Sequence, residues 1–113
     1  MNVMFNERNK NMIVKINCEI DHHSADEIRD KVEREFSRSS AKNIVFDFAN
    51  VGFMDSSGIG MILGRFRTAE QRGGKVFAIN ITKSLSKIFE VSGLKKIINC
   101  FDNIDEAIER QHS

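Results

Sequence analysis

The sequence predicts an α/β domain with a mostly parallel sheet, and three observations predict it. Short apolar runs of strand character alternate with amphipathic helical stretches, the pattern of repeated strand–helix–strand units. Ser, Asp, Asn and Gly stand between these runs at the places where helices start and stop. Ahead of the first helix lie two strand-like runs around a polar turn, which would add an antiparallel pair at one side of the sheet. The expected order is ββαβαβαβα, one domain over residues 1–113, with a mixed sheet packed by about four helices.

Each element has its own signal. In "MNVMF" and "MIVKIN" the apolar residues alternate at Val3 and Phe5, then at Met12, Val14 and Ile16, as in strands with one buried face; "NERNKN" between them reads as the turn. Ser24 and Glu27 make a capping box, S-x-x-E, before a helix whose buried stripe is Ala25, Ile28, Val32 and Phe36. "SRSSAKN" ends that helix, and the β-branched and aromatic run "NIVFDF" (43–48) reads as a central strand. "FMDSSGIGMILGRF" (53–66) opens the second helix with Ile59, Ile62, Leu63 and Phe66 on one face, and Gly73-Gly74 stops it. "KVFAI" is the next strand. "SLSKIFEVSG" is a short helix with Ser84 as cap, Leu85, Ile88 and Phe89 inward, and Gly93 as stop. "KIINCF" is the last strand. "DNIDEAIERQ" is the last helix, with Asn103 and Glu106 as capping box and Ile104, Ala107 and Ile108 as its stripe.

Composition narrows the function. A formal net charge of +1 over 113 residues gives nucleic acid or an anionic membrane no basic field to use. There is neither an apolar run of membrane-spanning length nor a signal-peptide pattern. Cys18 and Cys100 lie far apart and form no CxxC cluster, and His22, His23 and His112 are too few and too scattered for a metal site. The expectation is a reduced, cytoplasmic protein with two free thiols and no metal or cofactor.

The second helix start concentrates the chemistry. Neither Ser56 nor Ser57 fits the G-x-S-x-G elbow of α/β-hydrolases: Met54 stands two before Ser56, and Asp55 two before Ser57. Gly58, Gly60 and Gly64 give G-x-G-x-x-x-G, not G-x-G-x-x-G, and Asp55 would repel a bound pyrophosphate. Asp47 and Asp55 lack the acidic pair at the end of the first strand that a phosphoacceptor site needs for Mg²⁺. What remains is a modifiable helix start. Asp55 as N-cap places Ser56 at N1 and Ser57 at N2, with Met54 and Ile59 as a hydrophobic staple. A helical wheel puts Ser57, Met61 and Gly64 outward with Gly60 beside them, a small and weakly polar face suited to close approach of another protein; the alternative is that the glycines relieve crowding inside the fold. Pattern leaves the choice of serine open, although the wheel makes Ser57 the more outward. In "EIDHHSADE" (19–27), Asp21 starts a turn before the first helix.

These residues resemble a known signature. "FMDSSGIGMILGRF" after an apolar strand and before a Gly-Gly stop, with "EIDHHSADE", "GGKVFAI" and "IFEVSGLKKII" at corresponding places, is similar over essentially the whole chain to the STAS domain family. That family comprises the bacterial anti-sigma factor antagonists and relatives in sulfate transporters. The pairing of D-H-H with D-S-S-G is most similar to the sporulation antagonists. The resemblance implies partner switching. The unphosphorylated antagonist binds an anti-sigma factor that is an ATP- or ADP-bound serine kinase and frees its sigma factor; the kinase phosphorylates the first serine of D-S-S-G, Ser56; and a PP2C-type phosphatase restores the antagonist. It further implies a free monomer without catalysis or cofactor, and a partner surface drawn from Asp21, His22, His23, Asp55, Ser57, Gly58, Ile59, Gly60, Met61, Leu63 and Gly64. A nucleotide-sensing STAS module is the other function it implies. Where the family commonly has glycine before E-[IL]-D this chain has Cys18, which would be strained at a positive φ.

Overall fold

Strand β3 (Asn43–Asp47), whose five residues are an unbroken apolar run apart from its ends, lies at the centre of a five-stranded sheet. The computed structural model describes residues 2–111 and gives the order β1 (Val3–Arg8), β2 (Asn11–Ile16), α1 (Ala25–Arg38), β3, α2 (Ser56–Gln71), β4 (Val76–Ile79), α3 (Lys83–Ser92), β5 (Asn99–Phe101), α4 (Ile104–Arg110). A 3₁₀ turn at Leu94–Lys96 occupies the start of the run expected to be the last strand, which shortens β5 to three residues. Sheet order follows chain order, with β1 antiparallel to β2 and every later pair parallel. The expected fold is the observed one.

One face of the sheet carries the main core. Ala25, Ile28, Val32 and Phe36 of α1, Met61, Ile62 and Ala69 of α2, and Leu85 and Phe89 of α3 pack on Val14, Ile16, Ile44, Phe46 and Ala78. Phe46, Phe48 and Phe89 are fully buried and their rings follow one another at 5.7 Å, first stacked, then edge-on. Each such ring contributes about 1.5–3 kcal/mol through burial alone. On the other face α4 sets Ala107 and Ile104 against Val45, Phe77 and Ile79. Among the described residues no helix is long and apolar enough to cross a membrane; His112 lies outside them.

The turns correct several expectations. The six-residue "NERNKN" turn contracts to two residues, Asn9 and Lys10, both at positive φ (52° and 67°) as a type I′ hairpin requires. Glu7 and Arg8 belong to the strand. Buried Asn11 holds the turn by donating from Nδ2 to the carbonyls of Arg8 and Asn9, while its Oδ1 accepts from Gln111 Nε2 and Asn43 Nδ2. Thr82, not Ser84, caps α3 by accepting from the Leu85 N–H; Ser84 donates instead to the Gly52 carbonyl. Asn103 caps α4 as expected. The Gly73-Gly74 stop divides its labour. Gly73 takes φ 77° and its N–H reaches the Glu70 carbonyl, the Gly74 N–H reaches that of Ala69, and a Cβ at Gly74 would lie 1.7 Å from the Lys42 carbonyl oxygen.

Candidate functional site

The chain leaves the carboxyl end of β3, buries Val51, and turns outward through Gly52 and Phe53 before α2 begins. Asp55 sits in extended backbone as the N-cap. Its Oδ1 accepts from Ser57 N–H at 2.8 Å and from Gly58 N–H at 3.4 Å, which satisfies donors that the first helical turn leaves free. The cap fixes both serines, and it does so against the helical wheel. Ser56 is exposed and Ser57 is partly buried. Ser57 turns towards α1, where it lines a groove with Ala25, Asp26 and Arg29. A wheel takes no account of a neighbouring helix.

The loop after β2 lies directly alongside. Ile20 and Met54 form a parallel bridge: the Ile20 N–H donates to the Phe53 carbonyl at 3.2 Å, and the Asp55 N–H donates to the Ile20 carbonyl at 3.1 Å. Asp21 is therefore one residue from a backbone clamp that ends at Asp55, as the sequence reading expected. Asp21 starts the turn as expected, but the Ser24–Glu27 capping box does not form. Asp21 Oδ1 accepts from the His23 and Ser24 N–H groups at 2.9 and 3.0 Å, and Ser24 Oγ turns back to donate to the Glu19 carbonyl. Glu27 pairs with Lys31 instead. The N–H groups of Ser24 and His23 hold the Asp21 carboxyl below the usual carboxylate range. His22 and His23 are exposed, their rings 3.9 Å apart. Cys18, packed against the core, does not adopt a positive φ, so it replaces glycine without strain. Burial, then the Asp21 and Glu27 charges, push its thiol pKa up.

The glycines of α2 separate into two kinds. A Cβ at Gly58 would lie 2.9 Å from both Ile20 Cγ2 and Met54 Cβ, so Gly58 serves the fold by letting the helix start meet the Ile20–Met54 bridge. At Gly60 and Gly64 a Cβ would meet nothing within 4 Å, leaving an open surface. Met61, expected on that surface, is only 5 % exposed and packs in the core. The cause is that α2 packs against α1 as well as against the sheet, so its buried face is wider than one stripe. Ile62 lies on that face, whereas Ile59, Leu63 and Phe66 are only partly buried. Arg65 is also on it, 8 % exposed, with Nε 2.7 Å from Glu33 Oε1 of α1. Burial lowers the Arg65 pKa and the Glu33 charge opposes that.

The STAS domain model matches residues 2–107. The chain belongs to the STAS domain family. An anti-sigma F factor antagonist of Paenibacillus polymyxa is 36 % identical over 92 residues, 81 % of this chain and 79 % of that one. The anti-sigma factor antagonist SpoIIAA in its unphosphorylated form is similar in structure, with a TM-score of 0.82 and 29 % identity over 97 % of this chain and 96 % of that one. The Bacillus cell fate determinant SpoIIAA in the phosphorylated form gives a TM-score of 0.71 at the same identity, over 96 % and 97 %.

In this STAS domain the capped serine borders an apolar surface that the sequence reading only partly anticipated. Ile59 of α2 with Ile88 and Val91 of α3 lines a groove of about 390 Å³. Val91 is 91 % exposed, and Phe53, just ahead of the cap, is 46 % exposed. The signal for Val91 was there to read, since it is an apolar residue lying off the Leu85–Ile88–Phe89 stripe. Along α2 from Ser56 the surface offers Gly60 and Gly64, where a side chain would meet nothing within 4 Å, and, from Ile59 on, an apolar groove also lined by Lys87.

Proposed function

We propose that this chain is an anti-sigma factor antagonist, that its docking surface is the Asp21 loop together with the start of α2, and that phosphorylation of Ser56 abolishes docking. The observation that carries the reading is the exposed Ser56, held at N1 of α2 by the Asp55 cap. The similarity to an antagonist known in both unphosphorylated and phosphorylated forms supports it.

In this reading the partner is an anti-sigma factor that is a serine kinase, ATP- or ADP-bound. The free antagonist is a monomer, the kinase's substrate and ligand, with no catalysis of its own. Gly60 and Gly64 let the partner backbone approach, and the groove at Ile59, Ile88 and Val91 accepts an apolar side chain. Asp21, His22 and His23 contribute polar contacts from the adjoining loop. Transfer of the γ-phosphoryl group from ATP to Ser56 Oγ adds close to two negative charges beside Asp55. Burying that dianion in an apolar contact costs several kcal/mol, and about 4 kcal/mol lowers affinity a thousandfold. A PP2C-type phosphatase restores the docking form.

Incubation with the kinase and ATP, followed by peptide mass spectrometry, tests the assignment; the phosphate is expected on Ser56. A phosphate on Ser57, or none, would overturn it. Ser56→Asp should lose most of the affinity for the kinase, and equal affinity would end the switch.

A further inference from the structure

We propose that the opposite edge of the sheet carries a second binding site, for a small phosphomonoester bearing a flat ring. Strands β3, β4 and β5 run parallel, so the residues that enter them converge at one edge, away from the carboxyl end of β3 that leads to Ser56. Lys42 precedes β3, Lys75 precedes β4, Asn99 opens β5 and Arg110 closes α4, and all four line one cavity of about 290 Å³. Phe77 and Phe101 form its apolar wall, their rings 5.8 Å apart at 45°.

The charge pattern is what points to a ligand. Three cationic side chains line this cavity and no Asp or Glu does, although the chain as a whole has 17 basic and 16 acidic residues. None of the three head groups is in an ion pair among the described residues. Three like charges around one concavity repel each other, and a dianion relieves all three at once. A phosphomonoester offers three strong acceptor oxygens to match. The side chains of Asn43 and Gln111 are already occupied, with Asn11, Lys75 N–H and each other, so they serve as wall, while Asn99 is left to bind. The volume, about 290 Å³, lies just below the usual range of ligand cavities, about 300–1,000 Å³, which restricts the ligand to about one ring beyond its phosphate. That ring lies against the partly exposed Phe101, with Phe77, 3 % exposed, packed behind it, and contact of this kind adds about threefold to tenfold in affinity.

The test is a titration of the full chain with phenyl phosphate, inorganic phosphate and phenol, followed by amide ¹H–¹⁵N shifts. Phenyl phosphate should give saturable shifts at Lys75, Phe77, Asn99, Phe101 and Arg110 and none at Asp55–Ser57. It should bind about threefold to tenfold more tightly than inorganic phosphate, while phenol leaves these amides unmoved. Lys75→Gln and Arg110→Gln, both at exposed positions, should each weaken it about tenfold, whereas Ser56→Asp should bind as the parent does. The site is refuted by any of three results: no saturable shift at this edge, equal affinity for phosphate and phenyl phosphate, or unchanged affinity in either Lys75→Gln or Arg110→Gln.

Discussion

Adding one methyl group at each glycine of α2 should separate the fold's needs from the partner's. At Gly60 and Gly64 the new Cβ meets nothing within 4 Å, so only backbone propensity changes. Alanine is favoured over glycine inside a helix by about 1 kcal/mol, and for a domain of this size that raises Tm by about 4–8 °C per site. At Gly58 the same gain is opposed by contacts of 2.9 Å to Ile20 Cγ2 and to Met54 Cβ and of 3.1 Å to the Ile20 carbonyl. Two of those three atoms are anchored close to backbone, and relieving them costs about 1–3 kcal/mol. Gly58→Ala should therefore lower Tm. Thermal melts of the three single variants by circular dichroism give the signs directly. A lower Tm for Gly60→Ala and Gly64→Ala, or a higher one for Gly58→Ala, would refute the division of roles. The functional half uses the same proteins: the two stabilised variants should bind the kinase at least tenfold more weakly, about 1.4 kcal/mol. Parental affinity in both would remove the clearance argument and leave the stability argument standing.

Asp55→Ala should destabilise by about 1 kcal/mol through loss of the cap, read as a lower urea midpoint at unchanged m-value; no change would mean that the Ser57 and Gly58 N–H groups find other acceptors. Glu33→Gln should cost about 1–3 kcal/mol by leaving buried Arg65 without its counter-charge, whereas Arg65→Met should be nearly neutral. If Arg65→Met proves the worse of the two, the pair holds α1 and α2 together more strongly than this predicts. The Asp21 carboxyl titrates below the usual range because the Ser24 and His23 N–H groups favour its charged form. The stability it adds is fully present above the unfolded aspartate pKa, about 3.9, and is lost as pH falls through the lower folded value. A ¹³C-detected midpoint for Asp21 at or above the unfolded value would contradict the hydrogen bonds.

Periodicity and end signals were enough for the fold, because each helix has a clear apolar stripe and each β–α–β unit leaves few ways to pair its strands. The Asp55 cap and the Gly73-Gly74 stop were legible for the same reason, as both act within one turn of backbone. Errors came where tertiary partners decide. Thr82 caps α3 because its hydroxyl also reaches the Val51 carbonyl, a contact 31 residues away. The hairpin turn was hidden because Lys10 takes the positive φ that usually announces itself as glycine. Ser24 makes no side-chain cap because its hydroxyl turns back to the Glu19 carbonyl, while Asp21 Oδ1 takes the Ser24 N–H. Met61 and Ser57 were misplaced together, since both face α1 and no single-helix pattern contains α1. Arg65 was invisible in a hydropathy pattern and needed Glu33 to make it a core residue.

The bridge between Ile20 and Met54 has a consequence for anyone wishing to change which partner this domain recognises. Its two hydrogen bonds, with Gly58 fitted against them, make a frame on which both loops of the proposed docking surface are mounted. Ser56 is exposed but is kept as the proposed phosphate acceptor, whereas His22 and His23 stand outside that frame with exposed side chains and are free to be exchanged. Ile20, Met54 and Gly58 are not, because a change at any one shifts both loops together. Retargeting should therefore graft the outer residues of the two loops as a set and leave the frame untouched, with the ordering entropy of the loops already spent in folding and not charged to the new complex.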